Sequence, residues 1–162
     1  MNYKEFLDLL ESFFSTNDNL KYIGQVTVSK DFNDVLTGSF PVINIEPSGF
    51  QFEKHPELMY KEYQKDTYKM YFSLGTQNES YNTSVIGNDG IKGIVDLVFD
   101  FKLALKDFEN AYRYTDSEKG IPVIKLNRDK LVIAQRTLKL NESGKFLAIA
   151  ETEVEFYITV KL

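Results

Sequence analysis

The chain contains no cysteine and no tryptophan, and only one histidine and four prolines, among its 162 residues. Without cysteine there can be no disulfide staple, no thiol nucleophile and no thiolate metal site. A single imidazole, His55, leaves few routes to general-base chemistry that depends on histidine. No apolar run approaches the ~20 residues that a membrane helix needs, and the opening MNYKEFLDLLESFF lacks the basic start and unbroken apolar stretch of a secretory signal. These features predict a protein that is cytosolic, or assembled from the cytosol, with no membrane partner. Positive charge is also not in excess: 24 acids and 19 bases, interspersed, give a net charge of −5. A broad basic footprint for nucleic acid is therefore missing.

Aromatic residues are abundant, with ten Tyr and thirteen Phe. Tyrosine suits surfaces that are apolar yet able to hydrogen-bond, so this composition fits an assembly interface and fits a tyrosine-rich sheet core equally well. The length suits one domain over residues 1–162, large enough to bury roughly two-thirds of the surface its unfolded chain exposes.

Tyr3, Phe6, Leu9, Leu10, Phe13 and Phe14 recur at the spacing that lines one side of a helix. Asn2 and Glu5 form a capping-box pattern at its start, and the polar run STNDN ends it. KYIGQVTVS, residues 21–29, is β-branched and roughly alternating, which predicts a strand followed by a loop. In FPVINIEPSGF, residues 40–50, Pro41 and Pro47 bracket the apolar run VINI, so a short buried strand is expected to deliver a loop over 49–67. That loop mixes charges and aromatics and has room for a short helix over 56–63. YKMYFSLGT, residues 68–76, predicts a further strand, and the polar stretch 77–90 a long loop.

Ile91, Ile94, Val95, Val98, Phe101, Leu105 and Phe108 then repeat at helical spacing, with Asp96, Asp100, Lys102 and Lys106 largely opposite, which predicts a second, longer helix on a sheet. The last third predicts a long hairpin turning at NESG. Its second arm alternates Phe146, Ala148, Ala150, Thr152, Val154, Phe156, Ile158 and Val160 against a face that changes from apolar to acidic. Helix, strands, helix, strands, without a βαβ repeat, define an α+β fold with a mainly antiparallel sheet and two helices packed on one face.

Four polar features could carry chemistry. GNDGIKG, residues 87–93, places three glycines before a helix, where backbone amides could cradle an anion; it lacks the Lys-Ser/Thr pair of a P-loop and the dinucleotide spacing, and a turn in which Asn88 or Asp89 caps the helix accounts for it. His55, in EKHPE, has carboxylate neighbours but no nucleophile in reach by sequence, which suits an exposed side chain. Glu46 fits an exposed residue where a strand meets its turn. Glu151, Glu153 and Glu155 alternate along one strand, so they share a face at ~7 Å spacing and repel unless water, cations or basic neighbours intervene. Cross-strand partners such as Arg136 or Lys139 are one resolution; a surface kept negative, as in a channel that passes DNA, is another. Carboxylates along one flat strand do not readily wrap a metal ion. The residues thus predict no catalytic, cofactor-binding or metal site.

The opening helix Tyr3–Phe14, the Pro-led strand FPVINIEPSG, the strand YKMYFSLGT, the helix from Gly90 to Tyr112 and the closing hairpin together resemble the tail terminator (tail completion, or head-to-tail joining) proteins of long-tailed bacteriophages. The insertion over 50–67 and the long last strand depart from that family's pattern. The resemblance implies a structural virion assembly protein, not an enzyme. It implies a ring, usually a hexamer, that caps the tail tube and offers a face to the head connector, made in the host cytoplasm and ending in the virion tail. Its partners would be further copies of itself, the tail tube protein and the head connector protein, without tight nucleic-acid binding. On that reading Glu151, Glu153 and Glu155 face the lumen, and Phe50, Phe52, Tyr60, Tyr63 and Tyr81 make assembly contacts. The alternative is a small ligand-binding or enzymatic α+β domain, with a pocket between the second helix and the sheet that gathers Glu46, His55 and Tyr68.

Overall fold

The computed structural model describes residues 2–28, 34–35, 37–54, 63–112, 123–127, 133–139 and 144–161. Helix α1 (Tyr3–Thr16) begins as its sequence predicts: the Asn2 side chain accepts from the Glu5 N–H at 2.8 Å, and the Glu5 carboxylate accepts from the Asn2 N–H at 2.7 Å. Phe6, Leu10 and Phe14 form its buried stripe. After one 3-10 turn at Asp18–Leu20 come β1 (Gln25–Val28), β2 (Val42–Lys54) and β3 (Tyr63–Asn78). A five-residue helix α2 (Tyr81–Val85) and a tiny hairpin of β4 (Gly87–Asn88) and β5 (Ile91–Lys92) lead into α3 (Ile94–Ala111). The chain closes with β6 (Val123–Leu126), β7 (Ala134–Lys139) and β8 (Phe146–Lys161).

The main sheet runs β1-β2-β3-β8-β6, with β7 also paired to β8; β1 and β2 are parallel and every other pair is antiparallel. The fold is therefore α+β, as the order of elements predicts. Strand β8 holds the centre because its alternate residues Ala148, Ala150, Val154, Phe156 and Ile158 are apolar and lie in the core with α1 and α3. Aromatic rings join the two layers. Phe14 stacks on Phe101 at 5.6 Å, Phe72 reaches Phe101 at 5.0 Å, and Phe6 meets Phe156 at 5.0 Å. Burial of this cluster is the main stabilising term for the fold.

Two expectations need correction. Strand β2 does not stop before Pro47: it runs on to Lys54, and the register shifts between Pro47 and Gly49. Proline is tolerated there because it sits at a bulge, on a stretch where, among the described residues, no strand pairs with the outer side of β2 beyond Ile45. Phe50 and Phe52 are accordingly strand residues and Tyr63 opens β3, while the rest of the short helix expected over 56–63 lies outside the described residues. The stretch 77–90 holds the end of β3, α2 and β4 in place of a long loop. Leu147 and Ile149, at the apolar end of the sheet face away from the helices, are buried. Gly75 opens room there: a Cβ on it would lie 3.0 Å from Val42, 3.3 Å from Phe40 and 3.8 Å from Leu147.

Candidate functional site

Away from the helices, the sheet presents a polar face assembled by strand register. Glu151, Glu153 and Glu155 all project from it, as their spacing requires, opposite Ser73, Tyr71 and Lys69 of β3. Beyond β3 the rows continue to Asn44 and Glu46 of β2, and Thr27 of β1 stands opposite Asn44. Glu46 thus lies within a strand on this face, not at a turn.

The three glutamates do not share one environment. Glu155 is buried, with 7 % of its side chain accessible, and its carboxylate lies 3.6 Å from the Lys69 ammonium and accepts from the Asn127 amide at 3.0 Å. Asn127 also donates to the Tyr157 hydroxyl at 2.7 Å, and Lys65 stands 4.2 Å over the Tyr157 ring. Glu151 is half-buried and paired with Arg136 at 3.1 Å. Only Glu153 is exposed. Tyr71 sits among them; burial first, and then its hydrogen bond to Glu151, push its hydroxyl up to about 12, so it remains a proton donor at neutral pH. Across the row, Thr27 donates to the Asn44 carbonyl at 2.6 Å, and the Asn44 amide donates to Glu46 at 3.1 Å.

This face is an internally hydrogen-bonded wall of mixed charge. Among the described residues, no group of three or more His, Asp or Glu side chains is placed to hold a metal ion. The glycine turn before α3 is also spoken for. Gly87 and Gly90 adopt positive φ, and the N-terminus of α3 is capped by its own Asp96, which accepts from the Gly93 N–H at 3.1 Å. The cap is Asp96 rather than Asn88 or Asp89, and its negative charge occupies the place an anion would take.

The helix layer is different in character. Phe50 and Phe52 are 59 % and 54 % exposed, with rings 5.2 Å apart, at the side of the layer beside α1. Tyr3 lies 5.5 Å from Phe50, and its hydroxyl donates to the Lys69 carbonyl at 2.8 Å and accepts from the Gly49 N–H at 3.4 Å, which anchors the base of the pair. Tyr81, on α2, is exposed and meets Phe146 edge-on at 5.9 Å. Tyr60 and His55 lie outside the described residues, as does the Tyr63 side chain.

On the other flank, Val95, Phe99 and Leu103 form an exposed stripe along α3. Sequence periodicity places Val95 and Ile91 in the core, and the structure overturns this: both are exposed. The helical period gives Phe99 and Leu103 no core role, because they lie on the outer side of α3 among the exposed Lys102, Lys106 and Asp107; the signal for them is large apolar side chains outside the core stripe. Beside the stripe lies a groove of about 530 Å³ between α3 and the sheet, lined by Phe99, Leu103, Leu105, Leu126 and Val154, with Lys102 and Lys106 among its walls. A pocket between the second long helix and the sheet therefore exists. It does not gather the residues expected of it: Glu46 is on the opposite sheet face, and Tyr68 is buried in the core, next to Tyr3 and Phe6.

Among the described residues no helix is long and apolar enough to cross a membrane. Comparison with protein-family models and with curated proteins returns no match to this sequence.

Proposed function

We propose that this chain is a structural assembly protein of the tail-terminator type, which closes into a ring, a hexamer in the simplest case, to cap a tail tube and meet a head connector. The observation that carries the reading is the pair of separate apolar patches on the helix layer, Phe50 with Phe52 and Val95 with Phe99 and Leu103. Large apolar side chains grouped at two places on one surface mark contacts with other proteins. Two different patches on one chain suit a head-to-tail interface that closes by rotation. Tyr81, exposed at one end of the sheet, is a further contact for the tube or connector.

The polar sheet face is assigned to the lumen. Glu153 and the row through Tyr71 to Glu46 keep that wall acidic, while Glu151 and Glu155 are largely neutralised by Arg136 and Lys69. A wall without excess positive charge does not gain the counterion-release affinity that would hold passing DNA.

The test is the mass of the purified chain by sedimentation, alone and with a phage tail tube protein, followed by electron microscopy of the heavy fraction. A closed ring of 18.7 kDa subunits is expected. A monomer under both conditions refutes the reading. The groove beside α3 favours a second reading, a binding module for an apolar ligand, which predicts a monomer that is stabilised by that ligand.

A further inference from the structure

We infer that the Phe50–Phe52 pair of one copy seats in the α3 groove of the next. The inference rests on the ring reading and names the contact that would build it. In the sheet, Phe50 stands opposite Tyr68, Tyr68 opposite Phe156, and Phe156 opposite Leu126, which lines the groove. The pair and the groove therefore lie at one level of the sheet, three strand spacings or about 14 Å apart. They flank the helix layer on opposite sides, so copies set side by side bring one against the other. A two-fold pairing of Phe patch with Phe patch would leave the groove uncovered; head-to-tail pairing covers both.

Size and charge agree with that occupant. A cavity of roughly 150 Å³ accepts one benzene ring, so a groove of about 530 Å³ has room for both phenyl groups. Lys102 and Lys106 line the groove, and an ammonium group is attracted to the face of a phenyl ring, as Lys102 already stands 5.9 Å over Phe99. Joining the copies by strand addition at β6 is disfavoured. The Ile124 N–H donates to the Tyr112 carbonyl at 3.0 Å and the Leu126 N–H to the Glu109 carboxylate at 2.8 Å, so the end of α3 already occupies that edge.

The absence of cysteine makes the test direct. Chains carrying Phe52→Cys and chains carrying Leu103→Cys, both exposed positions, are mixed and oxidised, and the cross-linked species are identified by mass spectrometry. The expected product is the 52–103 heterodimer, at least tenfold over either homodimer. No cross-link, or homodimers in equal or greater yield, overturns the inference. In parallel, Phe50→Ser with Phe52→Ser, and separately Leu103→Glu, are expected to give folded monomers by circular dichroism and sedimentation, while a mixture of the two forms a 1:1 dimer through the one contact left intact. Rings that persist in both variants overturn this contact and leave the ring reading standing. A 52–103 cross-link in open chains that never close supports the contact and overturns the ring.

Discussion

Replacing Glu155 by alanine tests whether the three glutamates of β8 are equivalent. Its carboxylate is nearly inaccessible and holds the Asn127 amide at 3.0 Å and the Lys69 ammonium at 3.6 Å. A hydrogen bond to a charged acceptor is worth about 1.5–3 kcal/mol. The ion pair adds at most about 1 kcal/mol, because the Lys69 side chain is 37 % accessible and its charge is screened. Loss of the buried methylene costs a further ~0.8 kcal/mol, and the desolvation energy recovered by removing the carboxylate offsets part of the total. The net expectation is a loss of about 2 kcal/mol, read in urea as a midpoint lower by roughly 1 M for a slope near 2 kcal/mol/M. Glu155→Gln, which keeps the acceptor, should lose less. Glu151→Ala should cost less than about 1 kcal/mol, and Glu153→Ala should match wild type within ~0.5 kcal/mol. Three equal effects, or a Glu155→Ala midpoint indistinguishable from wild type, would mean that the carboxylates form one evenly solvated wall and that the Lys69–Glu155–Asn127 cluster contributes nothing.

Phe101 is fully buried between Phe14 and Phe72, so Phe101→Ala should cost about 3–5 kcal/mol in the same assay; a loss under 1 kcal/mol would show that the two layers do not pack through it. Gly87 and Gly90 both have positive φ, but a Cβ at Gly87 would lie 2.5 Å from the Ile91 carbonyl oxygen while one at Gly90 meets nothing within 4 Å. Gly90→Ala should therefore cost about 1 kcal/mol and Gly87→Ala clearly more, and equal melting temperatures would contradict that geometry. Burial and the neighbouring Asp66 push the Tyr68 hydroxyl up to about 12, and Tyr71 is raised as far by burial and Glu151. Between pH 10 and 12 the folded chain keeps protons that the unfolded chain has lost, so stability is intact below about pH 10 and falls as pH rises towards 12. Tyr68→Phe should flatten that fall in denaturation curves taken across the window; an unchanged slope would exclude Tyr68 as its source.

Much of this fold is legible from single residues because the relevant physics is local. The Asn2–Glu5 capping box fixes the start of α1 from four positions, and the alternation from Ala148 to Ile158 fixes the core face of β8. The same alternation puts Glu151, Glu153 and Glu155 on one face. Their unequal burial was not legible, because it depends on Lys69 of β3 and Asn127 after β6 arriving beside Glu155, which is a matter of register between distant segments. The five-residue α2 is too short to show a period.

Pro47 and α3 show why the exposed apolar patches are harder still to read from the sequence. A proline ends a strand when its missing N–H interrupts a ladder, but on β2 it falls at a bulge whose outer side has no partner strand among the described residues, and the strand carries Phe50 and Phe52 onward instead of releasing them into a loop. On α3 the apolar residues exceed what one buried face can use. Ile94, Leu97, Phe101, Ala104, Leu105 and Phe108 fill the core, and Val95, Phe99 and Leu103 remain outside at a spacing of four residues. A solitary domain gains nothing from that second stripe and risks aggregation by showing it. Both departures from simple patterning therefore fall at the two patches that the proposed ring would bury, and both would be accounted for by one contact.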